Sequence, residues 1–188
     1  MLKLATLALI GVILPLGAGA SESVDSLNPL FAALPAARFV ALDGWETIRT
    51  AEIPLAKTSG IFKGISAKGE AEGFIVHVIT PGYGGDIALL VSFDKEGTIL
   101  KVPVIRHSET QCHVPGLNDG SFLAQFPGIG LLTKIRLMVA KKKENHGDID
   151  AMSGGTVTSR ALTEGIAEAR IAFYRARSAG LLESPARP

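Results

Sequence analysis

Cysteine is almost absent from this chain. Cys112 is the only one in 188 residues, so no internal disulfide can form and the fold must rest on its core. There is no Cys-x-x-Cys-His, which excludes covalently attached haem c. Charge of one sign is lacking too. The 19 basic and 18 acidic residues leave a formal charge of +1, and no long basic stripe argues for nucleic acid. Lys141–Lys143 is a short run flanked by Glu144 and Asp148, and it reads as a solvated loop. Gly-x-Ser-x-Gly, the Walker-type Gly-x-x-x-x-Gly-Lys and a strand–helix Gly-x-Gly-x-x-Gly are all missing. Their absence removes the common hydrolase, nucleotide-triphosphatase and dinucleotide-fold readings. No internal repeat or long low-complexity segment is visible.

What is present is a 47% hydrophobic chain, enough for one domain with a sizeable core. Its N-terminus, Met1-Leu-Lys3, is followed by an uncharged run from Leu4 to Ala20. As a helix this run measures roughly 25 Å at ~1.5 Å per residue, marginal against a bilayer core of ~30 Å. It closes in Ala18-Gly-Ala20, the small-x-small form of a signal-peptidase site. A cleaved signal peptide and a retained anchor satisfy the pattern equally, and both export the remainder of the chain. The expected organisation is an anchor or signal at 1–20, a linker and lead-in at 21–59 that begins rich in Ser, Asn and Pro, a folded domain at 60–177 and a flexible tail at 178–188.

Within the domain, Gly60–Ala67, Gly73–Thr80, Ile87–Phe93 and Thr98–Arg106 read as short strands separated by glycine-rich turns. Links this short leave no room for long crossovers, so the pairing is expected to be antiparallel. Phe39–Ala51 is of mixed character, a strand or a bend around Trp45. Ser121–Phe126 suggests a short helix. Leu131–Ala140 is strand-like, a possible partner for the last of the earlier strands, and Asp148 and Asp150 are taken as part of a loop. Over Val157–Arg177, apolar Val157, Ala161, Leu162, Gly165, Ile166, Ala169 and Phe173 recur at three- and four-residue steps, the mark of one helical face. Glu164 and Glu168 lie towards its first half and Arg170, Arg175 and Arg177 towards its end, which suits the helix dipole. The fold class is therefore α+β, a mainly antiparallel sheet with a C-terminal helix packed on it.

The chemistry concentrates just before that helix, in Asp150-Ala-Met-Ser153-Gly154-Gly155-Thr156. A helix start offers unpaired N–H groups and a partial positive charge, a natural seat for phosphate. Gly154 and Gly155 let the backbone approach a ligand and leave the Thr156 hydroxyl accessible. The plainer alternative is that Ser153 or Thr156 is only an N-cap. Thr158 is a second nearby hydroxyl, expected to be less exposed because it lies inside the helix. Cys112, His113 and His107 could contribute to a zinc or copper site, but no fourth ligand is visible nearby, and no metal is expected. His77 lies in a strand-like run and reads as a core or sheet-face residue.

Three motifs occur in order: Gly82-Tyr83-Gly84-Gly85, then His107-x-Glu109-Thr110 with Pro115-Gly116-Leu117, then Asp150-x-x-Ser153-Gly154-x-Thr156. Together, over roughly Ile61 to Arg177, they resemble the FMN-binding domains of bacterial ion-translocating oxidoreductases. That family includes the G subunit of the Rnf-type complex, to which the Ser-Gly-x-Thr-Val-Thr-Ser-Arg wording is closer, and the C subunit of the sodium-translocating NADH:quinone reductase. The chain departs from the family wording in having Gly155 where Ala is usual, and in the insertion Gln111-Cys112-His113-Val114.

The resemblance implies FMN esterified through its phosphate to Thr156, installed from FAD by a flavin transferase that reads a motif including Asp150, Ser153 and Gly154. It implies that Gly82, Tyr83, Gly84 and Gly85 line the isoalloxazine or ribityl chain, with Glu109 and Thr110 near the flavin. It further implies an electron-transfer subunit, partnered by other subunits of a membrane complex that couples ferredoxin/NAD chemistry to ion movement. The N-terminal helix would anchor it in the cytoplasmic membrane with the flavin domain outside the cytoplasm. The alternatives are a free exported flavoprotein carrier and a binding or assembly module of the same fold without flavin.

Overall fold

The computed structural model describes residues 36, 38–45, 53, 55–110, 114–139 and 143–183. A six-stranded sheet is built from β1 (Arg38–Ala41), β2 (Lys57–Ile65), β3 (Ala71–Pro81), β4 (Asp86–Phe93), β5 (Ile99–Lys101) and β6 (Val104–Arg106). The order is β1-β2-β3-β4-β5, every neighbouring pair is antiparallel, and β6 also pairs with β4. The expected antiparallel meander is thus present. The run expected over Thr98–Arg106 is divided between β5 and β6. Pro103 falls at the break and has no N–H to donate, while its carbonyl still accepts from Leu90 N–H at 3.0 Å. Phe39, in the segment of mixed character, belongs to strand β1.

Turn chemistry fixes the hairpins. Gly69, between β2 and β3, has φ +85°, which suits glycine. After β4, Asp94 accepts the N–H of Glu96 at 3.0 Å and of Thr98 at 2.7 Å, a turn closed by its own aspartate. Side-chain alternation sends Ile61, Phe74, Val76, Leu89, Val91 and Phe93 into the main core, and Phe39, Phe62, Ile75 and Leu90 into a smaller cluster. The central strands are therefore buried along nearly their whole length.

The main face is covered by α2 (Thr156–Ser178). Phe173 stacks against Phe93, with centroids 4.9 Å apart, and meets Phe74 edge-on at 5.6 Å. Truncating such a buried ring typically costs about 3–5 kcal/mol. Gly165 lets the helix close on the sheet, since a Cβ there would lie 3.0 Å from Leu89 Cδ2 and 3.2 Å from Thr80 Cγ2. The helix ends at Ser178, and just beyond it Gly180, φ +72°, donates its N–H to the Arg177 carbonyl. The anticipated helical face is buried except at Val157, which is 56% exposed.

Between sheet and helix lie α1 (Pro115–Asn118), a 3-10 turn at Leu123–Gln125, β7 (Arg136–Met138) and β8 (Asp148–Asp150). The 3-10 turn sits within the short helix expected at Ser121–Phe126. The strand expected over Leu131–Ala140 shrinks to β7, and it does not join the main sheet. It pairs in parallel with β8, a segment expected to be loop. A side-chain bridge explains the difference. Arg136 donates to both Asp148 carboxylate oxygens at 2.8 and 3.0 Å, and Asp148 Oδ2 turns back to the N–H groups of Glu144 and Asn145, both at 2.9 Å. Those bonds fix the 144–148 turn and tie the start of β8 to β7, two strands too short to be recognised by pattern.

Candidate functional site

The segment before α2 is delivered by β8 and held from both sides. Gln125 pairs with the backbone of Asp150, accepting its N–H at 2.9 Å and donating to its carbonyl at 3.2 Å. Lys143 bridges the exposed Asp150 carboxylate at 3.1 Å and donates to Gln125 at 2.6 Å. Asp148, two residues earlier on the same strand, is held well below the usual carboxylate range by the Arg136 guanidinium and by backbone N–H donors. Ser159, fully buried, accepts Met152 N–H at 2.9 Å and donates to the Gly155 carbonyl at 2.8 Å. Gly155 N–H closes on Met152 O at 3.0 Å. These bonds turn residues 152–155 into a closed ring under the helix start.

Gly155 is the N-cap residue, Thr156 is the first helical residue, and no side chain caps this end. The reading of Ser153 or Thr156 as a mere N-cap is therefore set aside. Ser153 is exposed and Gly155 occupies the position. Gly154 has φ +75° and open space where a Cβ would be, so this side of the ring faces solvent. Gly155 has φ −115°, a conformation open to alanine, so its departure from the family wording answers no backbone requirement. The Thr156 side chain is half-buried beside the uncapped N–H groups. Dipole, donors and glycine together suit a phosphate ester at this hydroxyl.

Thr158, the rival hydroxyl, is 2% exposed and already engaged, donating to Glu109 Oε2. Glu109 is itself buried, and its Oε1 accepts Gly84 N–H at 2.8 Å. The turn Gly82–Gly85, which joins β3 to β4 and closes through Gly82 N–H to Gly85 O at 2.8 Å, is thereby tied to the helix start. Its glycines are dictated by space. A Cβ at Gly82 would strike Glu109 Oε1 and Ile87, and one at Gly84 would strike the Ser108 carbonyl. Tyr83, between them, stands 71% exposed at the tip. Thr110 is exposed, and its loop is turned by Glu109 N–H donating to His107 Nδ1 at 3.2 Å.

The structure thus gathers Gly82, Gly84 and Glu109 at the first turn of α2, two residues from Thr156. Ser153 and Gly154 are on the exposed side of the ring, while the Asp150 side chain is turned to Lys143. Sequence reasoning missed Thr158 as a partner of Glu109, and missed Ser159, Gln125 and the Arg136–Asp148 pair. Only Ser159 left a signal, since its four-residue spacing from Gly155 is that of a hydroxyl bonding back to a helical carbonyl. His77 is buried on β3 against Ser59 at 2.9 Å, as a sheet-face histidine. Cys112, His113 and the 1–20 segment lie outside the described residues. Among the described residues, no group of three or more His, Cys, Asp or Glu could hold a metal ion, and no helix is long and apolar enough to cross a membrane.

Comparison with known proteins agrees with the resemblance drawn from the motifs. Residues 82–170 match the family described as FMN-binding domain, a span that opens on the Gly82–Gly85 turn and runs through Thr156. The G subunit of the proton-translocating ferredoxin:NAD(+) oxidoreductase complex of Clostridium ljungdahlii is 37% identical over 97 residues, 51% of this chain and 50% of that one. The G subunit of the ion-translocating oxidoreductase complex of Stutzerimonas stutzeri is 32% identical over 126 residues, 64% of this chain and 53% of that one. The chain spans about half the length of the curated relatives it matches. The crystal structure of Shewanella oneidensis NqrC superposes with a TM-score of 0.58 at 20% identity, covering 90% of this chain and 92% of that one, a likeness of fold.

Proposed function

We propose that this chain, whose residues 82–170 match the FMN-binding domain family, is an electron-transfer subunit that carries FMN covalently through a phosphoester at Thr156. The observation that carries the reading is the contrast between two hydroxyls on one helical turn. Thr156 stands half-buried at an uncapped helix start, whereas Thr158 is buried and bonded to Glu109. FMN supplies the redox chemistry, and this chain's residues supply attachment, orientation and exclusion of water. Thr156 would hold the phosphate beside the first N–H groups of α2, with Gly154 giving access. The Gly82–Gly85 turn and Tyr83 would flank the remainder of the cofactor.

The relatives' names support placing the subunit in an Rnf-type complex that moves ions while passing electrons between ferredoxin and NAD. Its partners would then be the other subunits, with a flavin transferase for maturation. Residues 1–20 would anchor it to the cytoplasmic membrane, with the 60–177 domain on the extracytoplasmic side.

The test is co-expression with a flavin transferase and intact mass of the denatured protein. Wild type is expected to gain FMN minus water, and Thr156→Ala to gain nothing while keeping its stability within about 0.5 kcal/mol, because the side chain caps nothing. Wild-type levels of covalent flavin in Thr156→Ala would defeat the assignment.

A further inference from the structure

Glu109 is buried, and both its carboxylate oxygens are spent inside the protein. One accepts Gly84 N–H at 2.8 Å and the other accepts the Thr158 hydroxyl. These two bonds run to segments 74 positions apart in the chain, the β3–β4 turn and the first turn of α2 (158 − 84). A single side chain therefore bridges both. The turn has also given up two Cβ atoms to this arrangement, since a side chain at Gly82 would displace the carboxylate and one at Gly84 would push the turn off the Ser108–Glu109 backbone. A buried carboxylate is costly unless its oxygens are paired, so the position is worth keeping only with both partners in place.

We propose that Glu109 and Thr158 form a latch that positions the Gly82–Gly85 turn against the helix start, so that turn and acceptor hydroxyl make one pocket, and that neither residue carries the flavin. This rests on the reading of Thr156 as the attachment point. It reassigns Glu109 from a residue lining the flavin to a positioning residue behind it, and Thr158 from a rival acceptor to its partner. Valine at 158 keeps the shape of threonine and removes the donor. Serine keeps the donor. Glutamine at 109 keeps the size but has only one accepting oxygen, so it cannot accept from both the Gly84 N–H and the Thr158 hydroxyl.

The experiment follows flavin loading by intact mass against time in the full chain with the transferase, for wild type, Thr158→Val, Thr158→Ser, Glu109→Gln and the double variant Glu109→Gln/Thr158→Val, each checked for folding by circular dichroism. Thr158→Val and Glu109→Gln are expected to load about tenfold more slowly, the size of effect of losing a hydrogen bond to a charged group. Thr158→Ser should load like wild type, and the double variant no more slowly than the slower single one. In parallel, the Gly84 amide should exchange with solvent about tenfold faster in Thr158→Val and at the wild-type rate in Thr156→Ala, a readout that needs no flavin. Folded single variants that load at the wild-type rate, a double variant that multiplies their effects, or unchanged Gly84 exchange would each overturn the latch. Absence of loading in wild type would instead count against Thr156, and Gly84 exchange would still decide the latch.

Discussion

Two glycine-rich segments frame the site, and they use glycine for opposite reasons. In the Gly82–Gly85 turn the backbone is pressed against a neighbouring loop, and Gly84 has a carbonyl where its Cβ would be. On the exposed side of the 152–155 ring the surroundings are open, and Gly154 has nothing within 4 Å but a φ of +75°. The first segment is a packing interface and the second is a mouth. Both read as Gly-rich loops, yet substitution tests different things in each. One probes whether two loops can still meet, the other whether one loop can still bend.

The largest effect is expected at the packed turn. Gly84→Ala should cost about 3 kcal/mol in chemical unfolding, the upper range for overpacking, and should also lower flavin loading. A cost below about 1 kcal/mol would mean that the turn yields easily and that the contrast is false.

Acid should act on the two sides in turn. His77 lies on β3, the strand that leads into the packed turn, and burial, then Arg106, push its imidazole down to about 4. Its folded value lies below the unfolded one of ~6.5, so the unfolded chain takes the proton first. Stability is full above about pH 6.5 and falls as pH drops from there towards 4. Urea unfolding at pH 7.5 and pH 5 should differ by about 2 kcal/mol through this group, and His77→Gln should remove most of that difference. An unchanged difference would contradict the account. On the other side, Asp148 supports the strand leading into the open ring, and its carboxyl is held low. Its contribution is present above the usual carboxylate value and is lost only as pH falls below it, at lower pH than the loss through His77.

The smallest effect is expected at Gly154. Gly154→Ala meets no atom but must adopt a left-handed backbone, a strain of about 1–2 kcal/mol partly offset by a less free unfolded chain. A net loss of about 1 kcal/mol in urea unfolding is expected, and a loss matching that of Gly84→Ala would erase the distinction between packed and open glycine.

The parts of this architecture that sequence made legible are those governed by local period. The strand-like runs between glycine-rich turns over β2, β3 and β4 and the three- and four-residue recurrence along α2 are properties of neighbouring residues, and the strands and the helix appear where expected. The helix face departs from expectation only at Val157, which is exposed. What failed was set by side chains far apart in sequence. The β7–β8 pair depends on Arg136 meeting Asp148, and three-residue strands carry no period to read. The site divides in the same way. The Gly82-Tyr83-Gly84-Gly85 turn and the Gly-Gly-Thr before α2 were visible as local motifs, whereas the tie between them runs through Glu109 to Thr158, 49 positions away. That Thr158 is engaged while Thr156 is not could be read only once the helix had been placed against the turn.

The measurement that bears most directly on the central claim is peptide mapping of the flavinylated wild-type chain, with fragmentation that separates Thr156 from Thr158. The account predicts FMN on Thr156 alone. FMN on Thr158, or a chain that remains unmodified while a control flavin domain is loaded by the same transferase, would contradict it.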